Sequence, residues 1–343
     1  AEVPDVLAMD VVYVGKFYDL GILDDLSAEP YNVDPNAIFD FTAAIATDQD
    51  GVLRSVPNLA PAGCTFYKRD LAVKYFGTDD PAVIGEKLST WDKFIETGIE
   101  LKEKSNGECY MIAGLDSIRQ PLIRQVSEPW VDEETGTLHT EEVFAEAFDI
   151  AQRIHEAGIA GPYDQDTSAW NASIGGDDVF CYVGAMYMEN WVIRNNDPDG
   201  MGNWAVIRSP GKPYTSGGIY WGVYNNAQNK EAAAAYVKYQ TSEFGSMYKY
   251  NEQIFYPPVK AVYEKGLLNV PSEFLGGMVP TELYLQIIDD MGSDVPACQV
   301  EDGLLNDLFA FYLRAMAAGQ GTGEELLTQM TDEIISKIPE YHR

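Results

Sequence analysis

The sequence predicts an α/β protein built of two lobes, and three observations support this. Short apolar segments with strand character alternate with segments of helical spacing along almost the whole chain. The chain has 343 residues, which exceeds the size of one ordinary hydrophobic core. No Pro/Gly/Ser-rich linker divides it, so we expect it to cross between the lobes more than once. The alternation also favours largely parallel sheets.

The predicted strands are short apolar runs next to turn residues or helix starts. The turn before the second of them ends at Gly51, a residue suited to a positive φ. Strands are expected at residues 3–9, 52–57, 65–70, 110–114, 182–188 and 205–207.

The predicted helices rest on apolar residues three and four apart and on capping residues. Thr90 is a candidate N-cap, and Asp92 lies near the positive end of the helix that follows. Helices are expected at residues 14–26, 70–76, 90–104, 140–157, 230–241, 302–318 and 323–338.

The charge balance is strongly acidic, with 54 Asp and Glu against 23 Lys and Arg and a net charge of −31. Such a surface repels nucleic acid and anionic lipid, so neither is an expected partner. No run of about 20 apolar residues occurs that would span a bilayer. Enzyme signatures are also missing: there is no P-loop, no GxGxxG and no nucleophile elbow, and the three histidines are scattered. We therefore predict no enzyme activity and no cofactor.

The cysteines and acidic turns give no metal prediction. Cys64, Cys109, Cys181 and Cys298 contain no CxxC spacing and allow two disulfides, one or none. Calcium at 164–166 or 197–200 is conceivable, but neither segment has EF-hand spacing, and turns are the preferred interpretation.

Five segments, in this order, resemble one protein family: the extracellular solute-binding proteins of ABC importers, in the group that includes maltose-binding protein. They are PDVLAMDVVYVGKFYDLGILDDLS, TDQDGVLRSVPNLAPAGCTFYKRDLAVKYFG, LSTWDKFIETGIELK, VFCYVGAMYMENW and GGIYWGVYNNAQNKEAAAAYVKYQTSE. Two departures stand out. The strand-helix-strand that family members carry before PDV is not in this sequence, and Ala185 follows Gly184 where a basic residue is usual.

The resemblance implies the two-lobed periplasmic-binding-protein type II fold with hinge crossings. The crossings are expected near residues 62–63, near 217–218 and somewhere between 276 and 294. Lobe one would contain residues 1–62 and 218–290, N-terminally incomplete, and lobe two would contain 63–217 and 291–343.

The resemblance also implies the function. The chain would be the binding component of an ABC importer, a monomer that captures a carbohydrate, expected to be an oligosaccharide, and delivers it to a membrane permease. Its location would be extracellular, as a cell-surface lipoprotein, or periplasmic. Three alternatives stay open: a polyamine or other small-solute binding protein, an enzyme acting on glycosides, and a sensory ligand-binding module.

A sugar cleft needs aromatic faces to stack on pyranose rings and planar polar groups to pair with hydroxyls. Trp191 follows a predicted strand with two polar residues directly before it, and Trp221 follows the glycine pair of the second crossing. Asp10 is an acid directly after an apolar strand. Tyr256 matches a loop that lines the cleft in relatives. The candidate ligand-binding residues are Asp10, Tyr13, Gln120, Glu189, Asn190, Trp191, Trp221 and Tyr256.

Each candidate also has a structural interpretation. Trp191 would then pack between the lobes, Trp221 would have a structural role, and Glu189 would be a surface acid or a helix cap. Trp91 and Trp204 are expected in the core, whereas the cleft remains possible for Arg119, Trp130 and Trp170.

Overall fold

The computed structural model describes residues 3–293 and 295–343. Its strands are short, and most contain buried residues. They are β1 Val6–Asp10, β2 Ser55–Pro57, β3 Gly63–Lys68, β4 Val131–Asp132, β5 Thr137–Leu138, β6 Cys181–Ala185, β7 Trp204–Arg208 and β8 Ile219–Val223.

Helices make up most of the remaining regular structure. They are α1 Val14–Asp19, α2 Asp40–Ala46, α3 Arg69–Phe76, α4 Pro81–Lys87, α5 Trp91–Lys104, α6 Arg119–Arg124, α7 Thr140–Val143, α8 Ala145–Ala157, α9 Ser168–Ile174, α10 Arg194–Asn196, α11 Lys230–Gln240, α12 Glu243–Gln253, α13 Lys260–Glu264, α14 Pro280–Met291, α15 Asp302–Ala317 and α16 Gly323–Lys337. Three 3₁₀ turns occur at Val11–Tyr13, Pro35–Ala37 and Leu115–Ile118, and a π-helical turn at Glu189–Ile193. No helix of the described residues is long and apolar enough to cross a membrane.

The first lobe is built on a three-stranded sheet with β8 in the centre, between β1 and β2. Both neighbours pair with β8 antiparallel, so that Ala8 and Val56 flank Trp221. Helices α1 and α2 lie near one face, and α11 packs on the other through Tyr236, whose ring centroid is 5.1 Å from that of Trp221. Each face is covered by helices, as an α/β lobe requires.

The second lobe is built on the sheet β6-β3-β7, in which all six residues of β3 are buried. Successive side chains of a strand point to opposite faces. Accordingly Tyr67 joins the core formed with α5, α8, α15 and α16, whereas Phe66 faces a second core that also contains Tyr284 of α14. Asp290, near the end of α14, forms an ion pair with Arg208 of β7 at 2.6 Å. Helix α14 therefore packs on the second lobe.

The expectation of largely parallel sheets is wrong. All named strands pair antiparallel, and among residues 3–293 and 295–343 parallel pairing occurs only as isolated bridges such as Tyr110–Val179 and Ile112–Ala160. The order of the strands along the chain explains this. Strand β2 runs toward the segment at 60–63, and β8 runs away from the segment at 214–218 that pairs with it, so the two strands point in opposite directions.

Most predicted helices are confirmed, including α3, α5, α11, α15 and α16. Thr90 caps α5 as predicted, since its side chain accepts a hydrogen bond from the Lys93 amide. Other predictions were too long. The helix expected at 14–26 ends at Asp19, the one at 140–157 is interrupted at Phe144, and the strand expected at 182–188 ends at Ala185. Residues 110–114 form bridges but no strand.

The four cysteines are free thiols, which answers the question that their spacing left open. Cys64, Cys109 and Cys181 are buried, and Cys298 is partly buried. Burial raises the pKa of each thiol, and so the thiolate, the reactive form, is disfavoured at all four positions.

Candidate functional site

Two chain segments run side by side where the first and second crossings are predicted. Ala62 and Thr215 form an antiparallel bridge, and the Ser216 amide donates to the Pro61 carbonyl at 3.0 Å. Gly217 and Gly218 follow with φ values of 78° and 104°, a backbone region that residues with a Cβ rarely enter. This arrangement suits a hinge between the sheets, while the exact lobe boundaries stay a prediction.

Asp10 and Tyr13 lie against this hinge. Asp10 ends β1, is exposed, and accepts a hydrogen bond from the Val12 amide at 3.1 Å. The Val11 amide donates to the Gly218 carbonyl at 3.1 Å, which fixes the 3₁₀ turn on the second crossing. Tyr13 ends that turn and is 45% exposed, so an exposed acid and an exposed ring lie next to the hinge.

Tyr13 contacts the second lobe at the start of α15. A Cβ at Gly303 would lie 2.4 Å from the Tyr13 ring, so only glycine allows this approach. One turn later Asn306 accepts a hydrogen bond from the Gln120 side chain at 2.8 Å. These residues form a continuous polar and aromatic wall that spans both lobes. Asn306 was not predicted, although a polar residue in the apolar run of α15 was a usable signal.

Tyr187 is a further hinge residue that sequence reasoning missed. Its ring would contact a Cβ at Gly217 at 3.2 Å, and its hydroxyl lies beside Ser216. Burial raises the pKa of Tyr187, and the nearby carboxylates of Asp166 and Asp10 raise it further. The phenol therefore stays protonated and can donate a hydrogen bond.

Trp191 lies one turn beyond Tyr187, on the π-helical turn, and its amide donates to the Tyr187 carbonyl at 3.1 Å. Its indole is 53% exposed and stacks on Phe255, with centroids 5.3 Å apart and ring planes 10° apart. Phe255 covers one indole face only, which leaves the other open. Asn190 donates from its side chain to the Gln253 carbonyl at 2.7 Å.

The turn that carries Phe255 has an unusual backbone. Ile254 closes α12 with a φ of 51°, in the left-handed region that β-branched residues avoid. Strain of this kind is held by surrounding contacts and concentrates at functional sites. Here it brings Phe255 under Trp191.

The structure buries two of the predicted ligand residues. Glu189 is 1% exposed, and its carboxylate accepts hydrogen bonds from Arg194 at 2.7 Å and Ser272 at 2.8 Å. Tyr256 is also 1% exposed and packs edge-on between Tyr250 and Tyr284. Both side chains stabilise the packing behind the π-helical turn.

Trp221 is not brought to the other candidates. It lies in the middle of β8 and packs between the sheet and Tyr236 of α11, half-buried. Trp221 thus packs within the first lobe. The remaining tryptophans, Trp91, Trp130, Trp170 and Trp204, are all buried.

The acidic turns hold no recognisable metal site. Within the described residues no cluster of three or more His, Cys, Asp or Glu side chains is arranged to hold an ion. Asp197 accepts a hydrogen bond from the Trp204 indole at 2.7 Å, and Asp166 takes a left-handed turn conformation with φ of 67°. The preference for turns at these positions agrees with the structure.

One concavity of the described residues has a volume of about 780 Å³. It is formed by α1, α2 and the segment at 295–300. None of the eight predicted ligand-binding residues lines it, so we place the candidate site at the hinge on the chemistry of its residues.

Solved structures of known proteins share this architecture. The similar structures include "Extracellular solute-binding protein family 1" (TM-score 0.84, 17% identity, 96% of this chain and 84% of that chain). The galacto-N-biose-/lacto-N-biose I-binding protein of the ABC transporter from Bifidobacterium longum, in complex with lacto-N-biose, matches with a TM-score of 0.77, 15% identity and coverage of 98% and 83%. The ABC transporter associated binding protein from B. animalis subsp. lactis Bl-04, in complex with beta-1,6-galactobiose, matches with a TM-score of 0.76 and 17% identity, over 99% of this chain and 87% of that chain.

At these identities the structures establish the fold, which is the two-lobed periplasmic-binding-protein fold expected from the sequence. The sequence itself matches the family model for bacterial extracellular solute-binding proteins over residues 1–244, about 70% of the chain. The chain belongs to the bacterial extracellular solute-binding protein family.

Proposed function

We propose that this protein captures a carbohydrate, in particular an oligosaccharide, in the cleft beside its hinge and delivers it to the membrane permease of an ABC importer. It would act as a monomer outside the cytoplasm, as a cell-surface lipoprotein or in the periplasm. The observation that carries the proposal is the indole of Trp191, which is 53% exposed and stacked on one face only.

The groups around the hinge suit a sugar. A pyranose presents C–H bonds on its faces and hydroxyls at its edge. Trp191 and Tyr13 offer ring faces, while Asp10, Gln120 and Tyr187 supply acceptors and donors at the same hinge. The Bifidobacterium proteins described above hold lacto-N-biose and beta-1,6-galactobiose, and the GacH receptor of Streptomyces glaucescens is described in complex with acarbose.

Capture follows from two lobes that share one ligand. Tyr13 and Asp10 belong to the β1 side of the hinge, whereas Asn306 belongs to α15, whose apolar residues lie in the second lobe. A ligand that contacts both sides favours the closed arrangement, because only that arrangement completes its contacts. No bond in the sugar is made or broken.

The test is calorimetry on the purified chain with lacto-N-biose, beta-1,6-galactobiose and maltotriose. Trp191→Ala should weaken binding by about tenfold, or ~1.4 kcal/mol, because it removes the stacking face. Phe244→Ala is the matched control, since Phe244 is 73% exposed at the far end of α12, and it should leave affinity unchanged. Equal affinity of the Trp191 variant and the unaltered protein would contradict the proposal.

A cationic ligand is the second candidate, and one observation favours it. The exposed carboxylate of Asp10 and the rings of Tyr13 and Tyr187 occur together at the hinge. Such groups also form cages for ammonium ions. Spermidine titrated in parallel with the sugars decides between the two, since only one class should give saturable heat.

A further inference from the structure

We propose that the carbohydrate bound by this protein bears a carboxylate and that Arg119 binds that carboxylate. The inference rests on the proposed carbohydrate function and narrows its substrate class. It comes from the one arginine whose charge the described protein leaves without a partner.

Arginines in this protein are otherwise neutralised by nearby acids. The chain has nine arginines, and eight of them lie within 4.0 Å of a carboxylate. They are Arg54, Arg69, Arg124, Arg153, Arg194, Arg208, Arg314 and Arg343. Within residues 3–293 and 295–343, Arg119 makes neither an ion pair nor a side-chain hydrogen bond. Its Nε is buried without an acceptor.

The isolation of Arg119 does not come from a shortage of acids, since the chain has 54 of them. Asp116, three residues earlier, is fully buried and already engaged by Arg314 at 2.7 Å and by the Gln165 amide at 3.1 Å. A buried guanidinium donor without an acceptor costs free energy. A ligand that supplies an acceptor would remove this cost.

The position of Arg119 is the reason to assign that acceptor to the ligand. Arg119 begins α6, and the next residue, Gln120, donates to Asn306 in the wall that Tyr13 completes. Arg119 directly precedes Gln120 of this wall and is half-buried, neither in the core nor fully on the surface.

A carboxylate fits this group better than a hydroxyl does. The guanidinium fork matches the two oxygens of a carboxylate and pairs with them bidentately. When the cleft closes and water leaves, a neutral sugar would leave the positive charge of Arg119 uncompensated, whereas a carboxylate would neutralise it. A phosphate carries up to two negative charges, and the net charge of −31 repels it more strongly than a monoanionic carboxylate. The expected ligand is thus a uronate-containing oligosaccharide.

The experiment is calorimetry of the purified chain against a panel of uronate disaccharides, each with its methyl ester, the corresponding neutral disaccharide and a phosphorylated disaccharide. The ester keeps the shape and removes the charge. The proposal expects at least one uronate to bind about 30-fold or more tightly than its own ester. Arg119→Gln should abolish that preference, and Arg119→Lys should restore part of it.

Arg153→Gln serves as the matched control. Arg153 is also an arginine, but it is paired with Asp92 on the surface, so its loss should not affect the preference for the acid. Melting curves of each variant establish that it is folded.

The outcomes separate the two proposals. Esters or neutral sugars that bind as tightly as the acids, with no effect of Arg119→Gln, overturn the role of Arg119 and leave carbohydrate capture standing. A preference for the phosphorylated sugar overturns the carboxylate assignment. No binding by any member of the panel overturns carbohydrate capture and this inference together.

Discussion

Lys249 shows how much a single buried charge is controlled by its neighbours. Its ammonium group donates to the Asn58 carbonyl at 3.0 Å and to the Gln240 side chain at 2.8 Å, which ties α12 to α11 and to the loop after β2. Only 9% of the residue is exposed, and burial lowers the pKa of Lys249 to about 8. Its contribution to stability should therefore depend on pH.

We expect the stability difference between the unaltered protein and Lys249→Met to shift in favour of the unaltered protein as pH rises from about 8 to about 10. In this window the unfolded lysine, with a pKa of about 10.4, still holds its proton, while the folded one releases it. The folded state then binds fewer protons, so the free energy of unfolding increases with pH. Urea denaturation of both proteins at three pH values measures the difference. A flat difference would mean that Lys249 stays charged when folded.

Two residues close together in sequence illustrate the limit of sequence reasoning at this scale. Trp191 and Glu189 were predicted as neighbours in one cleft wall, yet one is 53% exposed and the other 1%. The partner of Glu189 is Arg194, five residues later, a spacing that meets across a π-helical turn but not across an ordinary α-helix. The amino-acid pattern does not predict that π-helical turn.

At the scale of elements, α1 meets the segment that leads into α15 through a glycine. Gly15 lies directly against the backbone of Gln299, and a Cβ there would be 2.5 Å from the Gln299 carbonyl oxygen. The contact sets the distance between α1 and the segment that leads into α15. The contact requires a glycine, because the backbone atoms of Gln299 have little freedom to move away from an added Cβ.

Gly15→Ala should destabilise the protein by about 1–3 kcal/mol, because the added methyl group overlaps backbone atoms. Gly85→Ala makes the same change in α4, where a Cβ would meet Ile207 at an ordinary 3.6 Å. There the gain in helix propensity should stabilise by about 0.5–1 kcal/mol. Chemical denaturation compares the two variants. A Gly15 variant as stable as the Gly85 variant would show that the segment near Gln299 yields easily.

Helices and strands marked by capping residues or apolar periodicity were predictable. Those whose limits or direction depend on the elements they pack against were not. Helix α5 has a capping threonine and a clear apolar stripe, and its N-cap was predicted at the correct residue. The run at 182–188 is apolar throughout and was predicted as one strand. The strand ends at Ala185, and the apolar residues that follow pack in the core from a turn and from the π-helical turn. Strand direction likewise depends on where the chain crosses between lobes, which composition does not encode.

The whole molecule carries a net charge of −31, and this sets its response to salt. Self-repulsion on such a surface opposes the compact state. Ion pairs offset part of the repulsion, and most of those described have exposed partners that contribute little individually. The net effect of the charge should therefore be destabilising at low ionic strength.

We expect the melting temperature to rise as NaCl is increased from about 10 to about 200 mM, because the screening length falls from about 30 Å to under 10 Å. The comparison at about pH 4 is the control. There roughly half of the carboxylates are protonated, and the effect of salt should shrink. Calorimetric scans at both pH values measure this. A melting temperature that falls with salt at neutral pH would show that attractive ion pairs outweigh the repulsion.

Of the properties of the whole molecule, the sequence predicted some and missed others. Five short segments in a fixed order were sufficient for the family and for the two-lobed fold. The lone charge of Arg119 is also a global property, since it depends on where every acid in the chain lies once folded. The sequence left Arg119 open as a cleft residue, but only the ion pairs among the described residues distinguish it from the other eight arginines.

The pairing of the segments at 61–63 and 214–216 has a mechanical consequence. The two segments are held by hydrogen bonds from Gly63 to Tyr214 at 2.7 Å and from Ser216 to Pro61 at 3.0 Å, and together they behave as a narrow ribbon. Sliding one strand of a ribbon along the other breaks both bonds, whereas flexing the ribbon out of its plane breaks neither. We therefore expect the two paired segments to bend easily about one axis, and to resist sliding and rotation about the other axes.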